Sequence, residues 1–485
     1  MLLRCVRIVP VTAPAPSGAV DVRFEGGRVV QVGQGLDPLS GEPVLEAEGR
    51  WLVPGLWDAH VHLGQWSRRG LRLDVAGTTS VAHACERVRT APGEGLLVGV
   101  GYRPAEWPEQ PSVAALDAVA GSRPVVLISG DAHAGWLSSA ALTHFGLSAR
   151  DDPLREAEWF AFVPWLLAAE DAAAGPQAYA LALREAAAKG VVGIVDYEFE
   201  AGFERWPQRY PLAGVGLRVR TSTYPVDLDR ALAAGLRSGD ALGDPRLVMG
   251  SLKIISDGSL NTRTAHCFDP YPDGGHGVQN VPADELADLL AVAAAHGLSV
   301  ALHAIGDAAV DLAMDAFAAT GARGSIEHAQ LMRPHQVDRL AGLALVASVQ
   351  PAHLLDDRLV TARIWGEERA ARSFPFRELV EAGVPVALGS DAPVAPLDPW
   401  LAIAAAVHRG EPSEQAWHAE QSLTARQALA ASTDGAGTVA VGSLADLALL
   451  DADPLAAGEP SELAAGLRAM SVWATVVGGA IVHQS

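Results

Sequence analysis

The chain alternates short apolar runs, each closed by polar residues, with longer stretches whose apolar positions recur at helical spacing. One run lies early, WLVPGLWDAHVHL at 51–63, and seven follow it: VVGIVDY (191–197), LRVRTSTY (217–224), LVMGSLKII (247–255), LSVALHA (298–304), GSIEHA (324–329), LVASVQP (345–351) and VPVALGSDA (384–392). Near-continuous apolarity suits strands buried on both faces, and eight in all is the strand count of a (β/α)8 TIM-type barrel. The alternating helices carry their own punctuation. Pro282 opens ADELADLLAVAAAHG, which Gly297 stops; Asp307 is expected to cap AAVDLAMDAFAAT, which Gly321 stops; Thr424 and Gln427 have the spacing of a capping box.

The two ends of the chain have a different grammar. CVRIVPV and VDVRFEGGRVVQVG near the start, and SLADLALLD and SVWATVVGGAIVHQ near the end, are short-strand runs, with Gly26-Gly27 and Gly478-Gly479 as hairpin signals. They are expected to pair into one small β-domain, residues 1–53 with 440–485, beside a barrel over 54–439. Residues from about 64 to 190 do not fit a single strand–helix unit. GLLVGVGY and PVVLISGDAH are strand-like and an Ala-rich helix is expected over about 176–189, so the segment reads as an insertion after the first barrel strand, over the barrel mouth. The fold class is α/β.

At 485 residues the chain accommodates one barrel with an appendage. A net charge of −21 with no run of Lys and Arg argues against nucleic acid and anionic membrane as partners. Cys5, Cys85 and Cys267 are odd in number and lack metal-ligand spacing, which points to buried free thiols in a reducing compartment. Arg4, Arg7 and several prolines interrupt the start before a signal-peptide core forms, and no apolar run reaches membrane-spanning length, so a soluble, cytoplasmic protein is expected.

Candidate chemistry sits at the carboxyl ends of the strands, where such barrels collect it. His60 and His62, two apart on a strand, share a face and can converge on one metal ion, though a lone His-x-His is more often hydrogen-bonded core. Lys253, His303, His328 and Asp391 each close a later run. An ammonium cannot ligate a dication, but a desolvated lysine amine can lose its proton and take up carbon dioxide as a carbamate. The other reading pairs Lys253 with Asp257 or Asp196.

In this order, WDAHVHL, LKIISDGSLNTRTA, VALHAIGDAAVD, SIEHAQL and VALGSDAPV resemble the amidohydrolase superfamily, within it the branch typified by N-substituted formamide deformylase, from about Val53 to Leu450. The resemblance implies a β-sandwich built from both chain ends and two divalent metal ions, zinc first. It implies His60, His62 and Asp391 on the more buried ion, His303 and His328 on the second, and Lys253 as a carbamylated bridge. The bridging water, acidified by both ions, attacks the carbonyl, with Asp391 as general base and then general acid, giving a carboxylate and an amine. Asp391's other reading is a helix cap before the Pro393 turn. GDAHAGWLSSAAL resembles the family's motif in the inserted region, which puts His133 on the substrate carbonyl and Trp136 by the pocket; a surface histidine is the other reading. Asp257, Ser259, Arg263 and Thr264 either shape the pocket floor or tie down a loop. Asp58 either orients a ligating histidine or serves a turn, and His353 and Asp356 near the rim receive no role. The inserted region looks short for this branch, and GYRPAEW carries Tyr102 and Trp107 where a Gly–Trp pair often stands, which bears on substrate rather than metal.

The expected activity is hydrolysis of an acyclic amide, an N-acyl or N-formyl amine, with a small molecule as partner and a homodimer left open. A one-metal deaminase or cyclic-amide hydrolase is the alternative, against which Lys253 speaks. A non-catalytic scaffold is a further one, against which all six filled ligand positions speak.

Overall fold

Eight parallel strands stand in chain order around a nearly closed barrel: Leu56–Val61, Val191–Asp196, Arg218–Thr223, Leu247–Ile255, Val300–Ala304, Gly324–His328, Val346–Val349 and Val386–Leu388. This is a computed structural model of residues 1–485, describing every side chain except those of residue 106 and residues 171–176. The seam between the eighth and first strands is short. A single parallel bridge, Val61 to Ala392, marks it, while Asp391 N donates to His60 O at 2.7 Å and His62 N to Ala392 O at 2.8 Å. The candidate ligands of the first and last strands are therefore stitched together through the backbone.

The run 51–63, expected as one strand, is two. Trp51–Pro54 belongs to a separate sheet and Leu56–Val61 to the barrel. Pro54 has no N–H to continue a ladder, and Gly55 lies so close to Val192 that an added Cβ would stand 2.1 Å from its Cγ1. Only glycine lets the chain step between the sheets there.

The separate sheet unites the chain ends, in the order Ala480–Gln484, Val472–Val477, Leu447–Leu450, Trp51–Pro54, Leu2–Ile8, Val20–Glu25, Arg28–Gly33, with Val44–Glu46 alongside Leu2–Ile8. Both expected hairpins turn at their glycine pairs, all four with positive φ. Leu3, Val6, Phe24, Leu449 and Val476 form its own apolar core.

Between the first two barrel strands lies a five-stranded sheet, Leu154–Arg155, Ala134–Leu137, Val125–Ser129, Leu97–Tyr102, Leu73–Asp74 in spatial order, followed by a helix over Glu156–Ala187. That helix is far longer than the one expected over 176–189; the side chain at position 176 lies outside those described.

Helices Ala283–His296 and Asp307–Thr320 end at Gly297 and Gly321, both left-handed. Thr424 and Gln427 form the expected reciprocal capping box. Asp307 is not a cap. It stands inside the first turn and accepts from Phe268 N at 3.0 Å and Arg333 Nε at 2.8 Å, holding two loops. The cysteines are free, with Cys85 and Cys267 buried and Cys5 exposed, which corrects the expectation that all three are buried. No helix among the described residues is long and apolar enough to cross a membrane.

Candidate functional site

The first barrel strand delivers Asp58 and His60 inward by alternation, and His62 follows just past its end. Across the seam Asp391 meets both imidazoles. Its Oδ1 lies 3.5 Å from His60 Nε2 and 3.4 Å from His62 Nε2, while its Oδ2 is 3.7 Å from His353 Nε2. Two overlapping groups result, His60–His62–Asp391 and His328–His353–Asp391, each with one donor atom per residue inside 4.8 Å. Asp391 and His328 reach these positions with φ of 55° and 72°, a left-handed conformation that costs a non-glycine residue.

His303 stands beside these groups rather than in them. Its ring is 4.5 Å from that of His328, but its Nε2 faces Gly258 O and Asp257 Oδ1, both at 3.3 Å. His353, which received no role from the sequence, takes the neighbouring place.

Lys253 is 2% exposed; its Nζ lies 4.5 Å over the Tyr197 ring and has no hydrogen-bond partner among the described residues. Neither suggested ion pair forms. Asp257 is spent on the backbone N–H groups of His266, Ile305 and Gly306, and Asp196 on Leu63 N and Trp206 Nε1. Burial pulls the Lys253 amine down to about 8 against the opposing pull of Glu327 and Asp391. Burial likewise holds His60, His303 and His328 well below the ordinary imidazole range, so they are neutral, the form in which imidazole ligates. Burial pushes the Asp391 carboxyl up, but His62, His353 and Lys253 outweigh it and keep it ionised.

The carboxylate that orients a site histidine is Glu327, which the sequence did not single out. Its Oε2 is 2.7 Å from His60 Nδ1, leaving Nε2 to face the site, and Ser325 Oγ and Tyr197 Oη (3.4 Å) hold its other oxygen. The SIEHAQL string hid it, because a neighbour of His328 on a regular strand would point away; the positive φ of His328 breaks that alternation. Asp58 instead accepts from Ser390 N at 2.8 Å and His60 N at 3.2 Å, a seam contact between strand ends.

The insertion supplies His133. Its Nδ1 is 3.0 Å from Glu156 Oε2, and its ring is 5.4 Å from that of His303. Burial lowers this imidazole, yet the charge and hydrogen bond of Glu156, with Asp131 and Asp391, raise it to about 9. Glu156 is held in turn by Thr262 and Thr264 hydroxyls, and Asp131 by Ser129 and Ser259.

Three expected substrate contacts lie elsewhere. Trp136 is fully buried between Tyr102 and Trp107 and donates to Ser112 O, so it is core of the insertion. Arg263 pairs with Asp273 at the surface. Asp257 is wholly buried under the three N–H donors above.

Two adjoining cavities of about 30 Å³ each open here, both lined by Asp131, His133, His328 and Asp391. Among the described residues, His62 Nδ1, His328 Nδ1, His353 Nε2 and Lys253 Nζ are buried without a hydrogen-bond partner. Four imidazoles gathered on an ionised carboxylate, two of them, His60 and His328, held neutral by burial, with donor atoms left over, are a donor set that fits a divalent metal ion.

A family model described as the amidohydrolase family matches residues 44–483. The chain is similar to Protein LONG AFTER FAR-RED 3 of Arabidopsis thaliana, with 30% identity over 95% of this chain and 88% of that one. It is similar to the N-substituted formamide deformylase of Arthrobacter pascens, with 26% identity over 96% of this chain and 95% of that one. Among solved structures, an uncharacterized metal-dependent hydrolase of Pyrococcus horikoshii OT3 superposes with a TM-score of 0.77 at 25% identity, covering 94% of this chain and 98% of that one.

Proposed function

The chain belongs to the amidohydrolase family, and from that premise we propose that it is a metal-dependent hydrolase that cleaves the C–N bond of an acyclic amide, an N-acyl or N-formyl amine. His60, His62 and Asp391 would hold one divalent ion, zinc first, and His328 with His303 or His353 a second, bridged by a Lys253 carbamate. When bound, the metal supplies an acidified water and a Lewis acid for the carbonyl. Asp391, ionised and facing both ligand groups, takes the proton of the attacking water and returns it to the leaving nitrogen. His133, gripped at Nδ1 by Glu156, offers Nε2 to the substrate carbonyl oxygen. Water adds across the amide, and a carboxylate and an amine leave.

The observation that carries this reading is the convergence of His60 Nε2, at 3.5 Å, and His62 Nε2, at 3.4 Å, on Asp391 Oδ1, with burial keeping the His60 imidazole neutral. Elemental analysis of protein expressed with zinc or manganese and bicarbonate tests it: close to two metals per chain, with hydrolysis of N-formyl or N-acyl amines, is the expected result, and none bound overturns it. One observation favours a second reading. His303 Nε2 is turned to Gly258 O, outside both ligand groups, as suits a one-metal deaminase or cyclic-amide hydrolase. Close to one metal per chain, with Lys253 unmodified by mass spectrometry, would select it.

The sheet shared by the chain ends supports reading residues 1–53 and 440–485 as one composite β-sandwich domain beside the barrel.

A further inference from the structure

Gln65 lines one of the two small cavities, together with His62, His133, Lys253 and Asp391. It stands three residues beyond His62, in the short helix Leu63–Ser67 that follows the first barrel strand. We propose that Gln65 Oε1 accepts the N–H of the scissile amide, and so selects amides that carry an N–H over N,N-disubstituted amides and over esters; the assignment rests on the hydrolase reading above.

The first argument is the inventory of acceptors. Among the described residues, three side chains bring oxygen atoms to this cavity: Gln65, Asp131 and Asp391. Asp131 already accepts from Ser129 Oγ, from His133 N at 3.2 Å and from Ser259 Oγ at 2.6 Å. Asp391 faces the two ligand groups. Gln65 Oε1 meets no hydrogen-bond donor among the described residues, so it is the acceptor left for a ligand.

The second argument is how the side-chain amide is held. Gln65 N donates to Glu198 Oε2 at 2.7 Å and Gln65 Nε2 to Glu198 Oε1 at 3.2 Å, while Phe199 N donates to the same Oε1 at 3.0 Å. Both carboxyl oxygens of the buried Glu198 thus accept N–H groups, which sets the amide nitrogen of Gln65 toward Glu198 and its oxygen away from it. Gly64 makes the approach possible, because an added Cβ there would stand 2.6 Å from Glu198 Oε2 and 2.7 Å from Tyr179 Oη. An acceptor fixed in this way is oriented before substrate arrives, so little rotamer freedom is lost on binding.

The third argument is complementarity. In a trans secondary amide the C=O and N–H bonds point in opposite directions. His133 offers a donor for the carbonyl oxygen and Gln65 an acceptor for the N–H, both lining one cavity of about 30 Å³, room for a reacting group and little more. An ester oxygen or a dialkylated nitrogen leaves that buried acceptor unanswered, and the cost of leaving it so is what discriminates.

The test compares metal-loaded wild type with Gln65→Met, which keeps an unbranched side chain of similar length and removes the acceptor. N-methylacetamide carries the N–H; methyl acetate has an oxygen in its place. Gln65→Met should lower the ratio of kcat/KM for N-methylacetamide to that for methyl acetate by about 10–100-fold. A merely structural role would lower both substrates together and leave the ratio unmoved. Calorimetry reads the same contact without turnover: metal-loaded wild type should bind N-methyl methylphosphonamidate about tenfold more tightly than methyl methylphosphonate, and Gln65→Met should bind the two alike. A ratio unmoved in Gln65→Met, or equal binding of the two analogues by wild type, would overturn the assignment while leaving the hydrolase reading in place. A preference for the phosphonamidate that Gln65→Met abolishes, without turnover of any N-acyl or N-formyl amine, would leave the contact standing and remove the hydrolase.

Discussion

In the sheet formed by the chain ends, Arg23 is buried and answered: Glu42 takes its Nε at 2.9 Å and its Nη2 at 3.1 Å, and Asp37 O takes Nη2 at 2.6 Å. Asp21 beside it accepts from Cys5 N at 2.9 Å and Leu36 N at 2.8 Å. At the barrel mouth the buried Lys253 Nζ, His62 Nδ1, His328 Nδ1 and His353 Nε2 have no such partner among the described residues. A buried polar group left unpaired costs about 1–3 kcal/mol. Both regions bury ionisable side chains, so burial does not tell these two apart; hydrogen-bond satisfaction does. Unanswered donors gathered in one place mark where a ligand completes the fold's hydrogen-bonding account.

The sharpest way to break this comparison is to remove one group from each region. Asp391→Asn or His60→Asn should lower turnover by about 1,000-fold with an unchanged circular dichroism spectrum, as expected when a proton-transfer or ligand group is lost from an intact frame. Retention of more than a tenth of the activity would remove these residues from the site. Leu449→Ala, in the apolar core of the terminal sheet, should do the reverse. It should cost about 2–5 kcal/mol in denaturant unfolding, with metal content per folded chain unchanged.

Glu327→Gln sharpens the comparison within the site, since it keeps the shape and removes the charge that orients His60. Metal affinity should fall by about 10–100-fold in a chelator competition. An unchanged affinity would make Glu327 a structural contact like those around Arg23. The smallest effect concerns pH. Lys253 is lowered from 10.5 to about 8 in the folded chain, so between those values the unfolded chain binds more protons and stability rises with pH. Metal-free protein in carbonate-free buffer should therefore gain stability from pH 8 toward 10, and Lys253→Met should flatten that slope; equal slopes in urea melts would show that Lys253 is not desolvated.

Much of the barrel was legible because its strands are continuous apolar runs, and each of the seven later runs contains a barrel strand. The glycine hairpins at both ends and the capping box at Thr424 were equally readable, since each depends on a few neighbouring residues. The step at Gly55 was not, because the reason for it is Val192, far along the chain. Trp136 and Arg263 show the same limit: their types suit a binding pocket, and only packing shows one in the insertion's core and the other paired at the surface with Asp273.

By itself the sequence determined the order of the barrel strands, the helices that stop at Gly297 and Gly321, the hairpins at the two ends, and the set of histidines, lysine and aspartate near the ends of the barrel strands, because these follow from local periodicity and residue chemistry. Tertiary structure alone decided which of them meet. It turned His328 and Asp391 into left-handed geometry, set Glu327 behind His60, brought His353 into the place expected of His303, and seated His133 on Glu156. The reason is physical: a strand's alternation says which face a side chain takes, but the distance between atoms on separate strands is set by barrel closure and by the burial of everything between them.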